Sequence, residues 1–208
     1  MVFKKEQILV NFIASLILVF RNFFFLIFYP YKTMRKISLE KDYWQILIIF
    51  FLVFLYFKLS YFLKDNPYPA SFTFFAFLVN FFLTAGFFYF LSKLIKKKNR
   101  AASFKSLFFS LSYSLFPTLI WFESVSLLYL ILPPPRTTSI LGISFSIFFI
   151  AYSLSLFFWK LILVFLALRF SLRLSFYQIL YLWLLYLIWF IPYSILLYHS
   201  KAFRVPFI

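Results

Sequence analysis

Between Trp44 and Leu63 the chain reads WQILIIFFLVFLYFKLSYFL, a run of 20 residues whose only charge is Lys58. An α-helix of that length spans about 30 Å, the thickness of a bilayer's hydrocarbon core. Such a helix satisfies its own backbone N–H and C=O groups, which lipid cannot do. The stretch therefore predicts a membrane-crossing helix. Four further runs of the same kind follow, over residues 71–95, 106–132, 139–168 and 174–198. The expected fold is all-α, a polytopic membrane helical bundle of five transmembrane helices.

Composition excludes a water-facing shell. The 208 residues are 65% hydrophobic and 27% aromatic, and only 12% are charged, against roughly 25% in soluble domains. The breaks between the runs carry turn and breaker chemistry: Asn66-Pro67-Tyr68-Pro69 after the first, Pro133-Pro134-Pro135 after the third. Pro117 in the third run and Pro192 in the fifth are expected to kink their helices.

Residues 7–29 form another apolar run, interrupted by Gln7, Asn11, Ser15, Arg21 and Asn22. At 100° per residue these fall within about 120° and make a narrow polar stripe. Basic clusters flank both ends, Lys4 and Lys5 before, Lys32, Arg35, Lys36 and Lys41 after. A crossing would send one cluster outside, against the positive-inside bias. The run reads as an N-terminal interfacial amphipathic helix on the cytoplasmic leaflet, with a sixth crossing as its rival. The chain thus divides into a cytoplasmic N-terminus (1–43), the five-helix domain (44–198) and a short extracytoplasmic tail (199–208).

Orientation follows from the basic residues. One side holds Lys4, Lys5, Lys32, Arg35, Lys36, Lys41, Lys93, Lys96, Lys97, Lys98, Arg100, Lys105, Arg169 and Arg173; the other holds Lys58, Lys64, Arg136, Lys201 and Arg204. This asymmetry places the N-terminus in the cytoplasm and the C-terminus outside, in the plasma membrane. The net charge of +16 lies between apolar runs, so anionic lipid headgroups are the expected counter-charge and nucleic acid is not. Lys93, Lys96, Lys97, Lys98, Arg100 and Lys105 form the candidate anionic-lipid contact, with simple enforcement of topology as the plainer explanation.

Polar residues at membrane depth are the other candidates. Counting 1.5 Å per residue from the cytoplasmic ends, Lys58, Asn80 and Glu123 lie about 21, 22 and 25 Å up their helices. Equal height suggests a polar clamp, Glu123 paired with Lys58 and hydrogen-bonded by Asn80. The plainer alternative has Lys58 snorkelling to the outer headgroups and Glu123 facing a vestibule. Lys160, about 12 Å from the end of the fourth helix, is expected to snorkel inward. Ser106, Ser110 and Ser114 on the third helix, with Gly142, Ser146 and Ser153 on the fourth, are expected to form a small-residue packing seam; a hydrophilic substrate path is the alternative.

Enzymatic activity is not expected. There is no cysteine, and the one histidine is His199, beyond the last crossing. With Gly86 and Gly142 the only glycines, no Gly-rich loop can form, and neither a metal-ligand spacing nor a catalytic triad is supplied. No metal or cofactor is expected.

Two segments resemble a known family. Tyr29-Pro30-Tyr31-Lys32-Thr33-Met34-Arg35-Lys36-Ile37 is similar to the P-x-x-T/A-hydrophobic-R lead-in of prokaryotic Yip-domain proteins. Ala101-Ala102-Ser103-Phe104-Lys105, followed by Ser112-Tyr113-Ser114-Leu115-Phe116-Pro117-Thr118-Leu119, resembles that family's entry and its Gly/Ser-Tyr-Ser-x-x-Pro signature, in which Tyr113 and Pro117 are the motif residues. The resemblance covers roughly residues 20–200. It implies a five-helix domain with a cytoplasmic N-terminus. Eukaryotic members interact with Ypt/Rab GTPases through a long cytosolic N-terminal region; that region and the acidic Asp-Leu-x-Gly-Pro motif are missing here, so a Rab-type GTPase partner is not expected. The expected role is a non-enzymatic scaffold or organiser binding membrane lipids, other membrane proteins or further copies of itself. The alternative is a small transporter or channel component using Lys58, Asn80 and Glu123.

Overall fold

The computed structural model describes residues 2–40, 42–63, 69–95, 103–131 and 140–199. Among them the chain is helical, without strands, in the order α1 (Val2–Phe28), α2 (Pro30–Ile37), α3 (Tyr43–Leu63), α4 (Ala70–Ile95), α5 (Phe104–Tyr113), α6 (Phe116–Ile131), α7 (Ile140–Leu172) and α8 (Phe176–His199). The protein is an all-α helical bundle. Lys64, Asn66, Lys96 to Arg100, Pro133 to Arg136, Lys201 and Arg204 lie outside the described residues, as does Lys41.

Six segments are long and apolar enough to cross a bilayer: Leu9–Phe28, Tyr43–Phe62, Ala70–Ile95, Phe104–Leu128, Gly142–Leu172 and Phe176–His199. Large apolar side chains cover the outside of the bundle, among them Phe51, Phe75, Phe90, Phe148, Phe158 and Ile188. Water would penalise such a surface by roughly 25 cal/mol per Å². Hydrocarbon does not, and the protein is a multi-pass membrane protein.

The third run is not one kinked helix. It is two, with a turn at Ser114 and Leu115. Pro117 sits at the second position of α6, where a missing N–H is tolerated. In an unbroken helix it would leave the Tyr113 carbonyl, four residues back, without a donor. The fifth run stays a single helix through Pro192.

α7 continues past the expected end at Leu168 to Leu172. It stops where Arg173 takes φ of 51°. A side chain there costs about 1–2 kcal/mol, which glycine would not.

α3 and α4 pack antiparallel, as Phe54 meets Phe74 and Phe50 meets Phe81, each pair at 5.2 Å between ring centroids. α7 lies antiparallel to α5 and α6, with Ser171 beside Ser110 and Ser153 beside Trp121. α2 folds back on α1, and the Thr33 hydroxyl donates to the Phe25 carbonyl at 3.3 Å. The interior is a continuous aromatic and aliphatic core, in which Phe77, Phe88, Phe109, Leu163 and Leu168 are fully buried.

α1 is moored at one end of α3. Phe12 packs edge-on to Trp44 at 5.9 Å, Ser15 Oγ donates to the Asp42 carboxylate, and Asn22 reaches the phenol that bonds Gln45. The polar stripe of α1 is thus divided. Ser15 and Asn22 are buried against the bundle, while Arg21 and the apolar Ile13, Ile17, Phe20 and Phe24 face outward.

Candidate functional site

Tyr113, at the end of α5, is fully buried and forms a three-helix hub. Its hydroxyl donates to Gln45 Oε1 at 2.5 Å and accepts from Asn22 Nδ2 at 3.2 Å. A buried phenol needs such partners. Phe23 packs edge-on to its ring and stacks on Phe116 at 4.2 Å. Asn22 was visible in the sequence as a stripe residue and Gln45 as the first polar residue of the first crossing. Nothing in their spacing paired them with Tyr113.

The serines at the start of the third run meet α7 at Ser171 rather than at Ser146 or Ser153. Ser171 Oγ donates to Ser110 Oγ at 2.9 Å or to the Ser106 carbonyl at 3.0 Å. Ser106 Oγ in turn donates to the Ser38 carbonyl at 2.6 Å, so α2, α5 and α7 meet here. Ser114 is buried and bonds only to the Leu111 carbonyl. Ser153 accepts the Trp121 indole N–H at 3.0 Å. Ser146 is half-buried and bonds the carbonyl of Gly142 on its own helix at 2.9 Å. Antiparallel packing explains the difference: the beginning of the third run meets the end of the fourth.

The polar clamp does not close. Among the described residues no ion pair joins Lys58 to Glu123, and Lys58 is exposed. The buried face of α3 carries Ile46, Ile49, Val53, Tyr56, Phe57 and Ser60, and Lys58 points away from it. Asn80 is buried, and its Oδ1 accepts from Tyr193 on α8 rather than meeting Glu123. One turn on, Thr84 and the Tyr186 hydroxyl share a hydrogen bond of 3.1 Å, so α4 and α8 are stitched twice. Glu123 is half-buried on α6. A double-mutant cycle of Lys58→Met and Glu123→Gln should therefore give a coupling within about 0.5 kcal/mol of zero in detergent unfolding.

Lys160 does not snorkel. Its Nζ is buried and without a hydrogen-bond partner. The extension of α7 to Leu172 puts it 12 residues, about 18 Å, from the helix end. Two cavities meet at this side chain. One, of about 280 Å³, lies among α4, α5, α7 and α8, against Phe81, Phe88 and Trp183. The other, of about 480 Å³, lies between α6 and α7, against Thr118, Trp121 and Phe149.

The opposite character appears where α1 meets α2, and where α4 ends and α5 begins. Arg21, Lys32 and Lys36 line a cleft of about 410 Å³ with Asn22, Phe25, Tyr29 and Thr33. Lys93 Nζ lies 4.5 Å from the centroid of Tyr89, and Lys105 Nζ 3.9 Å from that of Tyr43. Tyr89 in turn packs on Phe104. Such cation–π seats hold an ammonium at a partly dry surface. Lys96, Lys97, Lys98 and Arg100 lie outside the described residues. Among the described residues, no three His, Asp or Glu gather as a metal site would require.

Helix lengths, outward apolar faces and inward polar bonds define the class: a multi-pass membrane protein with an all-α bundle. Comparison with family models, with curated proteins and with solved structures returns no match.

Proposed function

We propose that the chain is a non-enzymatic, Yip-domain-like scaffold of the plasma membrane, whose basic cytoplasmic end engages anionic lipids and so organises lipids or neighbouring membrane proteins. The observation that carries this reading is the cleft between α1 and α2. Three cations, Arg21, Lys32 and Lys36, line it together with Asn22, Phe25, Tyr29 and Thr33, and no acidic residue does. Phosphate oxygens match those three cations. At about 1 kcal/mol per basic residue near an anionic surface, three residues amount to roughly a hundredfold in lipid retention. Native mass spectrometry of the purified protein should show phosphatidylglycerol retained over phosphatidylcholine. The variant Arg21→Gln/Lys32→Gln/Lys36→Gln should lose the preference, and its persistence would remove the lipid-engaging role.

In this reading α1 lies at the cytoplasmic leaflet and five helices cross. Its ties at Phe12, Ser15 and Asn22 all lead to the same end of α3, residues 42–45, which favours a helix held across that end over one running the length of the bundle. Tags at the two termini should then be found on opposite sides, the C-terminal one accessible from outside intact cells. Both tags on one side would mean six crossings.

A further inference from the structure

The cavity between α6 and α7 holds a mismatch that packing does not explain. Two of the residues that line it carry a buried polar atom without a hydrogen-bond partner, Lys160 Nζ and Thr118 Oγ1. They come from α6 and α7, which pack against each other here, Phe116 meeting Trp159 at 5.5 Å between ring centroids. A stranded hydroxyl costs about 1–3 kcal/mol, and an ionised lysine at membrane depth costs a few kcal/mol. Apart from Ser153, whose hydroxyl takes the Trp121 indole N–H, the remaining walls are apolar, with Phe149, Ile150, Leu154 and Phe157 among them. The volume of about 480 Å³ lies within the usual range for a small-molecule site, roughly 300–1,000 Å³.

We propose that this cavity binds a single-chain carboxylate amphiphile, a long-chain fatty acid, with its carboxylate held by Lys160 and Thr118 and its chain against the apolar wall. A carboxylate supplies acceptor oxygens and the opposite charge at once, and accepts from an ammonium and a hydroxyl together. A neutral alcohol supplies one oxygen and no charge. The site is separate from the basic cleft of α1 and α2, shares no residue with it, and does not depend on the lipid-organising role.

The test uses the full chain in maltoside detergent with cis-parinarate, a fluorescent long-chain carboxylate, displaced by palmitate or by hexadecanol. Palmitate should displace it at least about tenfold more effectively than hexadecanol. Lys160→Met should erase that difference, Lys160→Arg should keep it, and Thr118→Val should weaken palmitate several-fold. Absence of parinarate binding, equal displacement by acid and alcohol, or an unchanged preference in Lys160→Met would each overturn the proposal and leave the donors to water. If Lys160→Met does not fold, the acid-to-alcohol comparison on the native protein and the Thr118→Val titration decide the matter. A loss of phosphatidylglycerol retention in the cleft variant should leave parinarate binding unchanged.

Discussion

Tyr113→Phe should unfold at a clearly lower temperature than the native protein, by the equivalent of about 2–4 kcal/mol, because one oxygen serves two partners. Removing it leaves Gln45 Oε1 without a donor and the Asn22 amide without an acceptor, both buried. Each stranded group costs about 1–2 kcal/mol. Interhelical hydrogen bonds in membrane proteins average only about 0.6 kcal/mol, because the unfolded chain in lipid finds other partners. The larger figure applies here because three helices converge and both amides are buried. Tyr193→Phe supplies the comparison. Its hydroxyl serves Asn80 alone and lies on a partly exposed helix face, so about 1 kcal/mol is expected. Adding Gln45→Leu to Tyr113→Phe should recover part of the loss, since it replaces a stranded amide by an apolar group of similar size. Thermal unfolding in detergent, followed by tryptophan fluorescence, measures all of these. Equal losses for Tyr113→Phe and Tyr193→Phe would show that α1 is not held by the hub.

The membrane helices were legible because hydrocarbon thickness converts directly into a length of apolar sequence, and the onset of α3 differs from the expected one by a single residue. Register between helices was not legible, and neither was azimuth. Glu123 follows Phe122, which meets Tyr56 and Phe57 close to Lys58, but the pairs Phe50–Phe81 and Phe54–Phe74 set Asn80 well below Lys58. Which way each points depends on the faces α3, α4 and α6 offer their neighbours. Hydropathy is nearly uniform around these helices, so sequence carries little of that information. Two further differences share one cause. Arg169 and Arg173 mark a loop by charge, which hid the last turn of α7. Within that turn lies Ser171, the partner of Ser106 and Ser110, and its length carries Lys160 beyond snorkelling reach. The break at Ser114 shows the reverse case. Pro117 was conspicuous, yet the helix parts two residues before it, at the turn that relieves the missing N–H. The basic cleft assembles Arg21 from a helix and Lys32 and Lys36 from the next, a grouping that appears only once the two fold together.

Ser110→Leu should be among the most damaging single changes in the protein, and the reason lies in how closely α5 and α7 approach. Ser110 and Ser171 are both buried, with their hydroxyl oxygens 2.9 Å apart. A leucine must push the helices apart or take a poor rotamer, at about 1–3 kcal/mol. It also leaves Ser171 with only the Ser106 carbonyl as acceptor. Displacement of α5 would extend the damage to the Ser106–Ser38 bond that ties α2 to the bundle. A total of about 3–5 kcal/mol is expected, enough to abolish a monodisperse peak in size-exclusion chromatography. Ser110→Ala keeps the close approach and loses one hydrogen bond, so about 1 kcal/mol is expected. Ser146→Leu provides the contrast. Its hydroxyl bonds only its own helix and its side chain is half-buried, and a change within about 0.5 kcal/mol is expected. If Ser146→Leu proved as harmful as Ser110→Leu, the tight contact would lie at the other end of α7, and the antiparallel pairing of Ser110 with Ser171 would be wrong.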